Sequence, residues 1–189
     1  MSNVKNINLQ FDLGQILNDV LVKCNLISSG IKDEAQADIR APIMAPDSPE
    51  TRSIINRSLT EAFGNVKVAC QRYLKVGRTT DNNMLERMVQ NVTYIVDGQG
   101  QATNEIDTIT YETVQLDLYI PNFNVSVTDA MKSSIHKYVV DYIMGRFLQD
   151  QHADKAGEYA SLAEGKDYQQ IISNINSRER FNVRKPSWI

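Results

Sequence analysis

The chain predicts a mainly α fold with an inserted β hairpin: a four-helix body, a long two-stranded arm and an extended C-terminal tail. Three observations carry this. Apolar residues recur at spacings of three and four along four separate stretches. Between Met84 and Ile120 the period drops to two around an Asp97-Gly98 turn. The last residues, Arg178 to Ile189, are basic and aromatic with no periodicity. At 189 residues the chain suits one domain with an embellishment. The expected division is a helical body over 1–83 and 121–177, a hairpin arm over 84–120 and a partner-binding tail over 178–189.

The first helix is marked by Leu13, Ile16, Leu17, Val20, Leu21, Cys24 and Ile27, and Gly30 closes it as a residue tolerant of the left-handed conformation. Residues 31–46 read as a connecting segment. Asp47-Ser48-Pro49-Glu50 then forms a helix start, with a side-chain acceptor, a proline that gives up only an unneeded N–H, and a glutamate three residues on. The second helix is expected to run to about Val76. Its length would be roughly 40 Å at about 1.5 Å per residue. Gly64 offers it a place for a close crossing or a bend.

Val92, Tyr94 and Val96 alternate before Asp97-Gly98-Gln99-Gly100, and a returning run from Ile106 to Ile120 includes Val114, Leu116, Leu118 and Ile120. Paired along their length, the two strands would form an arm of about 40 Å. Such an isolated ribbon is marginal in water, so it must lie on its own helices, on copies of itself or on a partner. Thr128 and Asp129 are expected to cap the third helix, whose core face reads Met131, Ile135, Tyr138, Val139, Tyr142, Ile143 and Phe147. It is the strongest amphipathic pattern in the chain. A fourth helix follows through Ala156, Tyr159, Ala160, Ala163, Tyr168, Ile171, Ile172 and Ile175.

Composition narrows the function. A hydrophobic content of 42% supports a real core, and a net charge of -3 argues against a dedicated nucleic-acid binder, which would use a basic excess on phosphates. Cys24 and Cys70 fall at apolar helical positions, as free thiols in a reducing cytoplasm do. The N-terminus lacks a secretory signal pattern, and no stretch approaches the roughly 18 apolar residues of a membrane span. His136 and His152 read as surface or helix-end residues, since no cysteine or carboxylate is spaced to complete a ligand set. The carboxylates sit in polar segments, with no two acids expected in a shared apolar pocket. No nucleophile elbow is present. The chain is therefore expected to be no enzyme, with no catalytic residues, cofactor or metal.

The tail is the candidate site. Arg178, Arg180, Arg184 and Lys185 interleave with Phe181, Val183, Pro186, Trp188 and Ile189. Arginine and tryptophan are enriched at binding hot spots, and proline stiffens the segment for docking on a partner.

Three stretches carry a resemblance to a known family: Leu116-Asp117-Leu118-Tyr119-Ile120-Pro121-Asn122-Phe123-Asn124, Ile135-His136-Lys137-Tyr138-Val139-Val140-Asp141-Tyr142-Ile143, and Ala156-Gly157-Glu158-Tyr159, closed by Arg178-Glu179-Arg180. With the order of elements, they resemble the head-to-tail connector (adaptor) proteins of tailed bacteriophages, Bacteroides-phage type. The resemblance implies a structural virion protein: a homo-oligomeric ring, a dodecamer, bound beneath the portal and continuing the DNA channel toward a downstream neck or tail protein. It places the protein in the virion neck, assembled in the bacterial cytoplasm, with genomic DNA passing through without sequence-specific binding. It also implies that residues 178–189 grip the portal. The alternatives are another neck or tail-completion component such as a tail terminator, or a cytoplasmic DNA-binding regulator.

Overall fold

The structure, a computed structural model, describes residues 4–30, 49–74, 91–96, 102–110 and 113–178. The fold is mainly helical with an inserted β hairpin, as the periodicities predict, and it holds one strand they did not announce. β1 (Val4–Asp12) opens the chain and runs into α1 (Leu13–Gly30) without a loop. Asp12 makes the change of period possible: its Oδ1 accepts hydrogen bonds from the backbone N–H of Gly14 at 2.8 Å and of Gln15 at 3.3 Å. Two of the four unpartnered donors of the first helical turn are satisfied this way.

α2 (Pro49–Cys70) starts at the proline, as its first-turn chemistry requires, but ends six residues short of Val76. The physical reason is a tight turn in which Tyr73 N and Leu74 N both donate to Cys70 O, at 2.8 and 3.1 Å. That turn delivers Tyr73 and Leu74 to the edge of a strand, so the rod is about 33 Å long rather than 40.

The expected arm is corrected in its extent. β2 (Asn91–Val96) pairs antiparallel with β3 (Ala102–Thr110), with register irregularities on both sides of Tyr94. The long returning run breaks after Thr110. Its second half, β4 (Thr113–Pro121), leaves the hairpin and pairs antiparallel with β1 over nine consecutive residues, Val4 opposite Pro121 and Asp12 opposite Thr113. Alternation on both strands decides this pairing. Ile7, Leu9 and Phe11 share one face with Leu116, Leu118 and Ile120, all buried, while Asn6, Asn8 and Gln10 point away. Phe11 meets Phe63 of α2 edge to face at 5.6 Å. Each such side chain contributes about 1.5–3 kcal/mol of burial, which a free-standing arm could not supply. The turn Asp97 to Gly100 and the linker 31–46 lie outside the described residues.

Beyond β4, Asn122 takes a positive φ of 51°, a conformation that asparagine tolerates better than most residues. A 3-10 turn (Val125–Val127) precedes α3 (Thr128–Phe147). Capping differs from expectation: α3 has Val127 at its N-cap with no side-chain cap hydrogen bond, whereas Asn124 caps the 3-10 turn, its Oδ1 accepting from Ser126 N at 3.2 Å, and Thr128 Oγ1 donates back to Val125 O at 2.7 Å. Asp129 stays in the first turn with its charge at the positive end of the helix.

α3 is the hub of the body rather than an amphipathic surface helix. Every residue from Tyr138 to Gly145 is buried. α1 lies parallel to α3, with Asp19 against His136 and Lys23 against Asp141, and α2 lies antiparallel, with Asn65 against Tyr138 and Glu61 against Tyr142. The fourth helix also runs antiparallel, built of α4 (Ala153–Ser161), a π-helical turn (Leu162–Asp167) and α5 (Tyr168–Ile175) in unbroken succession. The close crossing is not at Gly64, where an added Cβ would meet nothing within 4 Å. It is at Gly145, where a Cβ would fall 3.0 Å from the backbone nitrogen of Ala160. Among the described residues, no helix is long and apolar enough to cross a membrane.

Candidate functional site

Of the nine residues expected to grip a partner, Arg178 is among the described residues. Arg180, Phe181, Val183, Arg184, Lys185, Pro186, Trp188 and Ile189 lie outside them. Arg178 is engaged within its own chain. Its guanidinium donates to the carbonyls of Ile175 at 2.6 Å and Ser177 at 3.2 Å and to the Tyr73 hydroxyl at 2.8 Å, and it stacks 5.5 Å from the Tyr73 ring centre. Its backbone forms a bridge with Phe123. A cation that takes up the last carbonyls of a helix also meets the negative end of its dipole. Arg178 thus ties α5, the α2 exit and the β4 exit together, and it is the root of the tail.

The structure also assembles a cluster that contradicts the expectation of no paired acids. Lys23 from α1, Lys137 and Asp141 from α3, and Asp167 from the end of the π turn converge. Lys23 Nζ binds Asp141 Oδ1, and Lys137 Nζ lies 2.6 Å from Asp167 Oδ1 and 3.5 Å from Asp141 Oδ2. The carboxylate side chains are 1% and 5% exposed, whereas Lys137 is 50% exposed, so the acids are buried and the lysine reaches in from solvent. Lys23 also sits 5.1 Å from the Tyr159 ring centre. Among the described residues, Asp167 Oδ2 is buried with no hydrogen-bond partner.

Burial is the main cause that raises the Asp167 carboxyl above its ordinary range. The Lys137 bond opposes that rise and the neighbouring Asp141 adds to it. Lys137 is raised in turn, chiefly by its bond to Asp167. A raised carboxyl beside a second acid occurs at acid–base sites and equally in structural ion-pair networks. Here both carboxylates are almost wholly buried between the helices they join, and Lys137 reaches them from the solvent side. What the arrangement does is lock α1, α3 and the π turn in one register.

His136 extends the same seam, with Nε2 2.7 Å from Asp19 Oδ2, so it is a half-buried contact between helices rather than a surface residue. His152 stands at the start of α4, the helix end foreseen for it. Cys24 and Cys70 are free and buried, and burial pushes both thiols up to about 12. Among the described residues, no group of three or more His, Cys, Asp or Glu is placed to hold a metal.

A groove of about 260 Å³ lies between the second half of α3 and the fourth helix, floored by Gly145, Ala156 and Ala160 and edged by Tyr142, Arg146 and Glu164. Arg146 donates to the Tyr142 hydroxyl at 3.1 Å, and that hydroxyl donates to Glu61 Oε2 at 3.2 Å. Its volume falls below the roughly 300–1,000 Å³ usual for small-molecule sites.

Two features that the helical and hairpin periodicities leave out each carry a signal in the sequence. Asn6-Ile7-Asn8-Leu9-Gln10-Phe11-Asp12 alternates without a break, the mark of a half-buried strand. Ala163, Asp167, Ile171 and Ile175 are each four residues apart. That spacing drifts around a regular helix, and the wider π turn counteracts the drift. The chain matches no known family profile, no curated protein and no solved structure.

Proposed function

We propose that this chain is a structural subunit of a tailed-phage particle: a head-to-tail connector that assembles as a ring beneath the portal and extends the DNA channel toward the tail. The observation that carries the reading is the rooting of the tail at Arg178. A segment that grips a neighbouring protein transmits force only if its base is fixed, and Arg178 fixes it to three elements of a body whose central helix is already covered by its own neighbours. Beyond that root the chain continues with Arg180, Phe181, Arg184, Lys185 and Trp188, residue types suited to anchoring in a protein groove. The buried charge cluster supports the same reading, since it ties α1, α3 and the π turn in one register. The resemblance of the last third of the chain to connector proteins adds the partners: further copies of the chain, the portal, a neck or tail protein below, and DNA sliding through the lumen.

The test is the mass of the purified protein alone and mixed with a portal, with and without residues 179–189. A ring or a portal complex, lost on truncation while the melting temperature holds, is the expected result. A monomer that ignores the portal in both forms rejects the proposal. Tight DNA binding that weakens steeply with salt would favour the regulator instead.

A further inference from the structure

The two edges of the β1–β4 ribbon are treated differently. On the β4 side, Tyr119 N donates to Tyr73 O at 2.7 Å and Leu74 bridges Leu118, so the α2 exit covers that edge. On the β1 side, among the described residues, no strand lies against the stretch Asn6–Gln10. Edges left open in this way are usually blunted by a bulge, a proline, a mid-strand lysine or shortness. β1 has no bulge and no proline in its nine-residue register, and its one lysine, Lys5, stands next to the start of the strand, so that the five residues Asn6–Gln10 carry none of these devices. A regular edge of that length is a template for an added strand.

The same chain holds a strand in need of one. β2 and β3 contact chiefly each other among the described elements, in a two-stranded hairpin with broken register. Such a hairpin is marginal until a third strand or a packed face is added. β3 has nine residues, the length of β1. Pairing within one chain is obstructed, because only residues 111 and 112 separate β3 from β4, and Thr113 stands opposite Asp12. Three Cα steps span about 10 Å at full extension. That is barely the two strand spacings, about 9.6 Å, needed to pass beyond β1. β1 also runs into α1 with no intervening loop, so a link of that kind would have to pass the Asp12–Leu13 junction.

We infer that the outer edge of β1 receives β3 of a second copy, which joins the two ribbons into a four-stranded sheet, β4–β1–β3–β2, shared between subunits. This rests on the connector reading for its ring but not for its chemistry. The contact is heterologous, edge of one copy to hairpin of the next, the type that makes a ring when its rotation closes and a filament when it does not.

The experiment mixes singly substituted full-length chains, Asn6→Cys or Gln10→Cys with Asn104→Cys, Ile106→Cys or Thr108→Cys, under mild oxidation. Buried Cys24 and Cys70 leave the introduced thiols to react. The expected result is a disulfide-linked heterodimer in at least one combination. Failure across the series, or a bond formed only within one chain in the doubly substituted protein, overturns the inference. A second measurement uses Asn6→Lys with Gln10→Lys. Assembly should weaken at least tenfold by sedimentation with the melting temperature retained, and unchanged assembly counts against the shared sheet. A ring that binds portal without cross-linking leaves the connector reading standing and removes this one. A cross-linked pair that ignores the portal does the reverse.

Discussion

The described residues contain two antiparallel ribbons, one of nine residues on both strands and one of six residues against nine, that are held by different means. The β1–β4 ribbon has a regular register and one face closed against helices, so its stability is that of the body. The β2–β3 hairpin has an interrupted register and pairs chiefly with itself. The first ribbon thus combines an unbroken ladder with the burial of Ile7, Leu9, Phe11, Leu116, Leu118 and Ile120, and it is this burial that makes it part of the core.

The largest expected effect lies in the first ribbon. Leu116→Ala should lower unfolding stability by about 2–5 kcal/mol, read as a shifted urea midpoint with unchanged slope. Tyr94→Pro, which breaks β2 in the second ribbon, should leave the midpoint of the dilute protein within about 0.5 kcal/mol of the parent. If both substitutions shift it equally, the two ribbons are one cooperative unit and the contrast fails.

A middle-sized effect separates the two ends of the charge cluster. Lys137→Met removes the cation that serves two buried acids and should cost about 1.5–3 kcal/mol. Asp167→Asn removes a charge whose burial is unfavourable and should cost less than about 1 kcal/mol. Their pH dependence follows from the two shifts. Asp167 is raised, so its contribution is present at acid pH and declines as pH rises through its elevated carboxyl range. Lys137 is raised, so its contribution holds at neutral pH and is lost only as pH rises past the ordinary lysine range. Asp167→Asn should flatten the acid step and lessen the alkaline one in melts recorded from pH 3 to 11.

The smallest effect concerns the thiols. With Cys24 and Cys70 pushed up to about 12, native protein at pH 8 should show almost no reaction with a thiol reagent, and denatured protein should show two equivalents. Prompt reaction of Cys24 would mean that the core seam between Cys24 and Met144 opens readily.

What was legible in the sequence divides along physical lines. The helices could be read because Leu13 to Ile27 and Met131 to Phe147 repeat at the helical period, and Pro49 fixed a start. The partner of Val114 to Ile120 could not, because alternation says which face is buried and nothing about which strand lies alongside. The run to Ile120 looked continuous with Ile106 until β1, more than a hundred residues away, took its second half. The burial of Asp141 and Asp167 was hidden for another reason. Each acid reads as solvated until helices on several sides, and a π turn, bring lysines to it.

The pairing of Asn8 with Asp117, whose side chains meet at 2.5 Å across 109 residues of chain, also sets an order of events during synthesis. β1 leaves the ribosome well before its partner β4. At about 5–20 residues per second, that wait lasts roughly 5 to 20 seconds. Contacts between α3 and the fourth helix, such as Lys137 with Asp167 thirty residues on, can form almost as soon as they emerge. The N-terminal strand must therefore survive as an unpaired segment, and its alternate Asn6, Asn8 and Gln10 keep half of it compatible with water until the C-terminal half of the body has gathered around α3.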